Sequence, residues 1–199
     1  MNLHQLWLIT RYSFTEIWRN KTFRVAFMVL IPLLIAYQVS FQSDMFNIPV
    51  EYTLVLSSFI PTQNAYMFNL LLVFPLATMG FWVHKQKKYN TLEALLVHPQ
   101  GNDTYSTGFI LGIIIAFMIM GSISLALAGL INLFASPTSF QPLIYLFYLV
   151  TLFLPTIVFV VGITSFLAAR CFKNGTVTTF FMLVYLSVDI LFLSTLYHG

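Results

Sequence analysis

Residues 84–105 read HKQKKYNTLEALLVHPQGNDTY and form a polar stretch in an otherwise apolar chain. The whole sequence is 59% hydrophobic and only 8% charged, whereas about a quarter of the residues in an ordinary soluble domain are charged. So few charges cannot cover the surface of a soluble fold, and most of the protein is therefore expected to face lipid. The polar stretch then connects two membrane spans.

Apolar runs on either side of this stretch are long enough for membrane-spanning helices, which need roughly 20 mostly apolar residues. We expect about five spans, at residues 25–41, 62–83, 106–135, 142–169 and 176–197. An amphipathic helix over residues 2–23 precedes them, with an apolar side made by Leu3, Leu6, Trp7, Thr10, Phe14, Ile17 and Trp18. Such a helix suits the membrane interface or the surface of a partner protein. The sequence thus predicts an all-α membrane protein with one polytopic domain over residues 1–199.

The basic residues predict the orientation of the chain. They lie before the first span, after the second, and between the fourth and the fifth, at Arg11, Arg19, Lys21, Arg24, Lys85, Lys87, Lys88, Arg170 and Lys173. Because cytoplasmic loops are enriched in Lys and Arg, we expect a cytoplasmic N-terminus and a fifth span that ends outside, in the plasma (bacterial inner) membrane. Scattered basic residues form no folded basic face, which argues against a nucleic-acid partner.

Polar residues inside the predicted spans are candidates for function or for packing. Asp189 lies midway along the fifth span, where a carboxylate is costly. It is either a substrate, ion or proton contact, or a protonated group at a helix interface. Asn69, in the second span, is a candidate for the substrate path or for a hydrogen bond between helices.

Prolines and small residues shape the predicted spans. Pro32, Pro75 and Pro155 each remove a backbone hydrogen bond, which Ser, Thr or neighbouring helices have to replace in lipid. Gly108 and Gly112, followed by Ala116, form a row that lets a second helix approach closely, either in this chain or in a dimer.

The polar stretch itself predicts a short helix at about residues 91–98. Asn90 is a good N-cap and Glu93 follows three residues later, as in a capping box. Apolar residues then share one face at helical spacing, and Pro99 ends the helix. A helix this short is marginal alone and needs a surface to pack against.

The run NTLEALLVHP at 90–99 resembles the segment after the second span of type-2 ABC exporter permeases. The positions that match are Thr91, Leu92, Glu93, Leu95, Leu96 and Pro99. In that family the segment is a coupling helix, so the resemblance implies that it docks on a cytoplasmic ABC ATPase. It also implies a second permease half and ATP and Mg held by the partner, with no cofactor in this chain. Asn90 replaces the family's usual Gly, and five spans instead of six suggest a fragment.

We therefore expect the permease subunit of an ATP-driven exporter. No Gly is followed by Lys-Ser or Lys-Thr, so the phosphate-binding loop of an ATPase is absent from the sequence. A gradient-driven carrier that uses Asp189 is the alternative. An intramembrane enzyme based on His84, His98 and Asp103 is a third reading, but these residues follow no catalytic motif. No catalytic, cofactor-binding or metal-binding residue is expected, and the single cysteine, Cys171, cannot form an internal disulfide.

Overall fold

The computed structural model describes residues 3–44, 58–69, 72, 102–135, 140–170 and 184. Of these, all but Asn20, Phe140 and Gln141 are helical, which confirms the predicted all-α class for the described residues. The helices are α1 (Leu3–Arg19), α2 (Lys21–Asp44), α3 (58–69), α4 (Asn102–Ala135), α5 (Pro142–Tyr148) and α6 (Leu154–Arg170). A π-helical turn, Leu149–Phe153, joins α5 to α6.

Three helical segments are long and apolar enough to cross a membrane. They are Lys21–Ser43, Thr104–Phe134 and Pro142–Phe166, and they overlap the predicted first, third and fourth spans. Only part of the second predicted span, 62–83, and Val184 of the fifth, 176–197, are among the described residues, so the count of five stays a prediction. Large exposed apolar side chains cover these segments, as expected of an integral membrane protein in contact with lipid.

Asn20 separates α1 from α2. Its side-chain Oδ1 accepts a hydrogen bond of 3.0 Å from the backbone N–H of Thr22, which is the N-cap contact that opens a helix. Its own backbone N–H donates to the carbonyls of Glu16 and Ile17 at the end of α1. The interfacial helix predicted over 2–23 therefore ends at Arg19, because Asn20 and the residues after it begin the first membrane helix.

Pro155 lies two residues after the end of the π-helical turn. The N–H of Leu154 donates to the carbonyl of Leu149, five residues earlier. Thr151 and Thr156 each donate a side-chain hydrogen bond to the carbonyl four residues before, at 2.8 and 2.7 Å. Threonine hydroxyls thus bond carbonyls around the proline, which lacks an N–H of its own.

The chain forms two compact units. Unit 1 combines Met1–Arg24, Leu72–Ala116 and Val158–Gly199, and unit 2 combines Val25–Leu71 and Phe117–Ile157. The described basic residues all belong to unit 1, and the sequence ranges of unit 2 contain neither Lys nor Arg. Lys and Arg are therefore confined to one unit along the chain.

In unit 1, α1 packs closely on the first half of α4. A Cβ added to Gly108 would lie 2.8 Å from Cγ2 of Ile9, and one added to Gly112 would lie 2.8 Å from the carbonyl oxygen of Thr10. The small-residue row predicted from the sequence thus serves a contact within the chain.

The buried face of α1 differs from the apolar side expected from the sequence. Its buried residues are Ile9, Ser13 and Ile17, one turn apart, whereas Leu3 and Trp7 are 76% and 56% exposed. The glycines of α4 leave room for Ser13 and the branched Ile9. The bulkier Trp7 remains on the outer surface.

Aromatic rings fill the core of unit 2. The rings of Phe68 and Phe153 lie 5.1 Å apart, and a Cβ added to Gly121 would come within 2.7 Å of Phe153. Gly121 therefore gives α4 a recess into which Phe153 of the π-helical turn fits.

Candidate functional site

The segment predicted to bind an ATPase lies outside the described residues, together with Asp189, His84 and His98. All six positions at which that segment matches the permease family also lie outside the described residues: Thr91, Leu92, Glu93, Leu95, Leu96 and Pro99. Asp103 belongs to the first turn of α4. Asn69 is the last described residue of α3 and is partly buried. Fully buried polar side chains occur at other positions, all of them in α1, α2, α3, α4 and α6.

In unit 2 these buried polar groups follow one stripe of α4. The stripe consists of the Ser124 side chain, the Ala128 carbonyl and the Asn132 side chain, spaced four residues apart and hence on one face. Ser124 and Asn132 are 2% and 1% exposed, and Ala128 is fully buried. Each of the three positions contacts a different neighbouring helix.

The first position of the stripe bonds to α3. The Ser124 hydroxyl donates to Oδ1 of Asn64 at 2.9 Å, and Asn64 is completely buried. One residue earlier on α3, Gln63 accepts a hydrogen bond of 3.1 Å from the Tyr37 hydroxyl of α2. Helix α3 is thus connected to α4 and to α2 through neighbouring amides.

The second position bonds to α2. The Nε2 group of Gln42 donates to the Ala128 carbonyl and to Oε1 of Gln38, each at 3.1 Å. Both glutamines are buried, at 0% and 1% exposure. Because they are four residues apart, they occupy one face of α2.

The third position bonds to α5. The Asn132 amide donates to the Tyr145 hydroxyl at 2.8 Å. The Tyr145 ring contacts Phe140, with ring centroids 5.4 Å apart, and both rings lie beside Gly129 of α4. The start of α5, where Pro142 occupies the first turn, is thereby fixed to the end of α4.

Three buried polar atoms on this network have no hydrogen-bond partner among the described residues. They are Nε2 of Gln38, Oε1 of Gln42 and Nδ2 of Asn64. An unsatisfied buried donor or acceptor costs about 1–3 kcal/mol, whereas a hydrogen bond between membrane helices contributes on average about 0.6 kcal/mol. The hydrogen bonds described above therefore do not by themselves offset the cost of burying these amides.

The amide groups of this stripe carry no charge, and apart from Asp44, the last residue of α2, the described residues of unit 2 include no Asp, Glu, Lys, Arg or His. The stripe can therefore donate and accept hydrogen bonds, but it cannot supply a proton at neutral pH as a general acid would. Its chemistry suits neutral polar ligands.

Unit 1 presents a different surface, on α1. A groove of about 470 Å³ is lined by Leu8, Arg11, Tyr12, Thr15, Glu16 and Arg19. The Arg11 guanidinium lies 5.3 Å from the centroid of the Trp7 ring, a cation–π contact. Aromatic rings beside arginines are typical of the headgroup region of a membrane.

The sequence contained a signal for the stripe that our sequence interpretation did not use. Gln38 and Gln42 interrupt an apolar span at helical spacing, which indicates a buried polar face as strongly as the single Asn69 does. The choice of Asn64 over Asn69 depends on which side of α3 faces α4, and the sequence of α3 alone does not give that.

No family model matches the chain, and no curated protein matches it either. In its described residues the chain is an all-helical membrane protein with three apolar segments of membrane-spanning length.

Proposed function

We propose that this chain is the permease subunit of an ATP-driven ABC exporter of type 2, and that a separate cytoplasmic subunit hydrolyses the ATP. The observation that carries the proposal is the run NTLEALLVHP at 90–99, in the predicted cytoplasmic loop between two spans. It resembles the coupling helix of that family in residue pattern and in position along the chain.

The order of elements supports the proposal. Helix α1 precedes the first apolar segment, and α4 begins at Asn102, three residues after the run ends. The first turns of α4 carry Gly108 and Gly112, which hold α1 at close range. A displacement of the run would therefore act first on a tightly packed pair of helices.

Helix α4 is suited to carry such a displacement further. It has 34 residues and contains no proline, so at 1.5 Å per residue it is about 50 Å long. Its second half bears the buried polar stripe. A push at Asn102 would be delivered along an uninterrupted helix.

In the proposed mechanism, closure of two ATPase subunits moves the helix at 91–98. Leu92, Leu95 and Leu96 dock in the ATPase, and Glu93 completes the cap with Asn90. ATP and Mg remain in the partner subunit. Two permease halves then alternate between inward-open and outward-open states, and the substrate passes between them.

The experiment is an affinity purification of the tagged chain in mild detergent from its native host, followed by mass spectrometry. The wild type is compared with Leu95→Asp/Leu96→Asp, which places two carboxylates on the leucine face. The control is Ala94→Asp/Val97→Asp, which adds the same charge to the opposite face of the predicted helix. Normal membrane insertion of all three is verified first.

We expect an ATPase subunit to accompany the wild type and the control and to be lost from the Leu95→Asp/Leu96→Asp variant. If no ATPase accompanies the wild type, the exporter proposal is wrong, and Asp189→Asn becomes the variant that tests a gradient-driven carrier. If all three forms retain the ATPase equally, the leucine face is not its docking surface.

A further inference from the structure

The three unpartnered amide atoms of unit 2 occupy neighbouring places. Asn64 and Gln42 bond to Ser124 and Ala128, on consecutive turns of the same α4 face. Gln38 bonds to Gln42 directly. All three side chains are at least nine-tenths buried. The three side chains therefore form one buried cluster where α2, α3 and α4 meet.

The three unpaired atoms determine which kind of ligand can bind in this cluster. Two are N–H donors, on Gln38 and Asn64, and one is a carbonyl acceptor, on Gln42. A hard cation takes six or more oxygen ligands, and the cluster offers one free oxygen. An anion would lie beside that oxygen with no positive side chain among the described residues of the unit to balance it.

We propose that Gln38, Gln42 and Asn64 form a binding site for water inside unit 2. Water donates and accepts hydrogen bonds, is neutral and is small, and a buried water molecule typically bonds to about three protein groups that otherwise lack partners. Waters here would satisfy donors and an acceptor that the helices leave unpaired. The site rests on unit 2 alone and does not depend on the exporter proposal.

A hydrated site at this place has a consequence for the helices around it. Bonds through water exchange more readily than direct contacts between close-packed side chains, so α2, α3 and α4 meet at a polar contact that can be rearranged. The predicted orientation would place this contact in the outer half of the membrane, since it lies near the end of α2 and the start of α3.

The test is radiolytic hydroxyl-radical labelling of the full chain in detergent, read out by mass spectrometry. Radicals formed from a bound water modify the side chains beside it, even where bulk water is excluded. Ile60 lies one turn before Asn64, and Ile157 is flanked one turn away on both sides by apolar residues. Both isoleucines are 0% exposed and have the same intrinsic reactivity, so they form a matched pair.

We expect Ile60 to be labelled several-fold faster than Ile157 in the wild type. In the triple variant Gln38→Leu/Gln42→Leu/Asn64→Leu, the rate at Ile60 should fall to that of Ile157. Asn132→Leu is the control, because it removes a buried amide of the same stripe whose Nδ2 already bonds to Tyr145. It should leave labelling of Ile60 unchanged.

Equal labelling of the two isoleucines in the wild type would overturn the proposal, and this comparison needs no variant to fold. Retention of fast labelling at Ile60 in the folded triple variant would overturn it as well. An equal fall in labelling of Ile60 in Asn132→Leu would overturn it too, because the labelling would then not depend specifically on the three amides.

Discussion

The two units join their helices by different means. In unit 1, α1 and α4 meet through glycines, with so little space that a single added Cβ would come within 2.8 Å of the Thr10 carbonyl oxygen. In unit 2, the second half of α4 meets its neighbours through hydrogen bonds from Ser124, Gln42 and Asn132. Lipid provides no hydrophobic driving force between helices, so close backbone approach and hydrogen bonds are the two contacts that remain. The closest approach to a helix backbone lies in unit 1, and the described hydrogen bonds between helices lie in unit 2.

This difference predicts opposite sensitivities. Contacts made by backbone approach should be intolerant of added volume, and contacts made by amides should be intolerant of lost polarity. The variants below test this, starting with the largest expected change in the free energy of unfolding.

Gly112→Ala should be the most damaging single change. The new Cβ meets backbone atoms of Thr10 and Phe14 at 2.8 and 3.0 Å, and backbone cannot move aside as a side chain can. We expect a loss of about 2–3 kcal/mol, in the upper range for overpacking, measured by SDS-induced unfolding in detergent. Gly162→Ala is the control, because nothing lies within 4 Å of its added Cβ. A Gly112→Ala protein as stable as this control would show that α1 does not pack on α4 in this way.

Asn20→Ala should cost about 1 kcal/mol, as other N-cap losses do. It removes the acceptor for the N–H of Thr22 at the start of the first membrane helix. Asn20→Asp keeps a side-chain oxygen in the same position and should restore most of the stability in the same unfolding assay. Equal losses for Ala and Asp would contradict a capping role.

The Asn132 and Tyr145 pair should show a coupling energy of about 0.6 kcal/mol, the average for hydrogen bonds between membrane helices. A double-mutant cycle with Asn132→Leu and Tyr145→Phe measures it, because each change removes one partner of the 2.8 Å bond. Additive effects of the two substitutions would mean that this bond does not contribute to joining α4 to α5.

Gly129→Ala should have the smallest effect. The three atoms nearest to the added Cβ all belong to rings, with Cε2 of Phe140 at 3.2 Å and Cε1 and Cδ1 of Tyr145 at 3.5 and 3.7 Å. Aromatic rings can shift by a few tenths of an ångström, and alanine favours a helix over glycine by about 1 kcal/mol. We expect unfolding free energy within about 0.5 kcal/mol of the wild type. A loss as large as that of Gly112→Ala would remove the distinction between the two units.

The sequence supplied the helical class and the position of three apolar segments, because length and apolar content are properties of each segment alone. It also predicted a local change in backbone hydrogen bonding at Pro155, since a proline acts on its own backbone. It did not supply the end of the first helix. The predicted amphipathic pattern runs to residue 23, while the N-cap of Asn20 ends α1 at Arg19.

The candidate site was predictable only in part. Polar residues within apolar runs are visible in the sequence, and Asn69 was selected from them, whereas the structure buries Gln38, Gln42, Gln63 and Asn64. Telling the buried polar residues from the others requires knowing which face of each helix meets another helix. In lipid, apolar residues cover both the inner and the outer faces, so the pattern that identifies the buried side of a soluble helix is weak here.

By itself, the sequence determined that this chain belongs in a membrane and where several of its helices lie, because the cost of placing a segment in lipid is a sum over that segment's own residues. Only the tertiary structure decided that Gly108 and Gly112 accommodate α1, and that Ser124, Ala128 and Asn132 bond to three other helices. Those contacts join residues up to 102 positions apart, as between Thr10 and Gly112. Their partners are set by the relative placement of whole helices, which no single segment encodes.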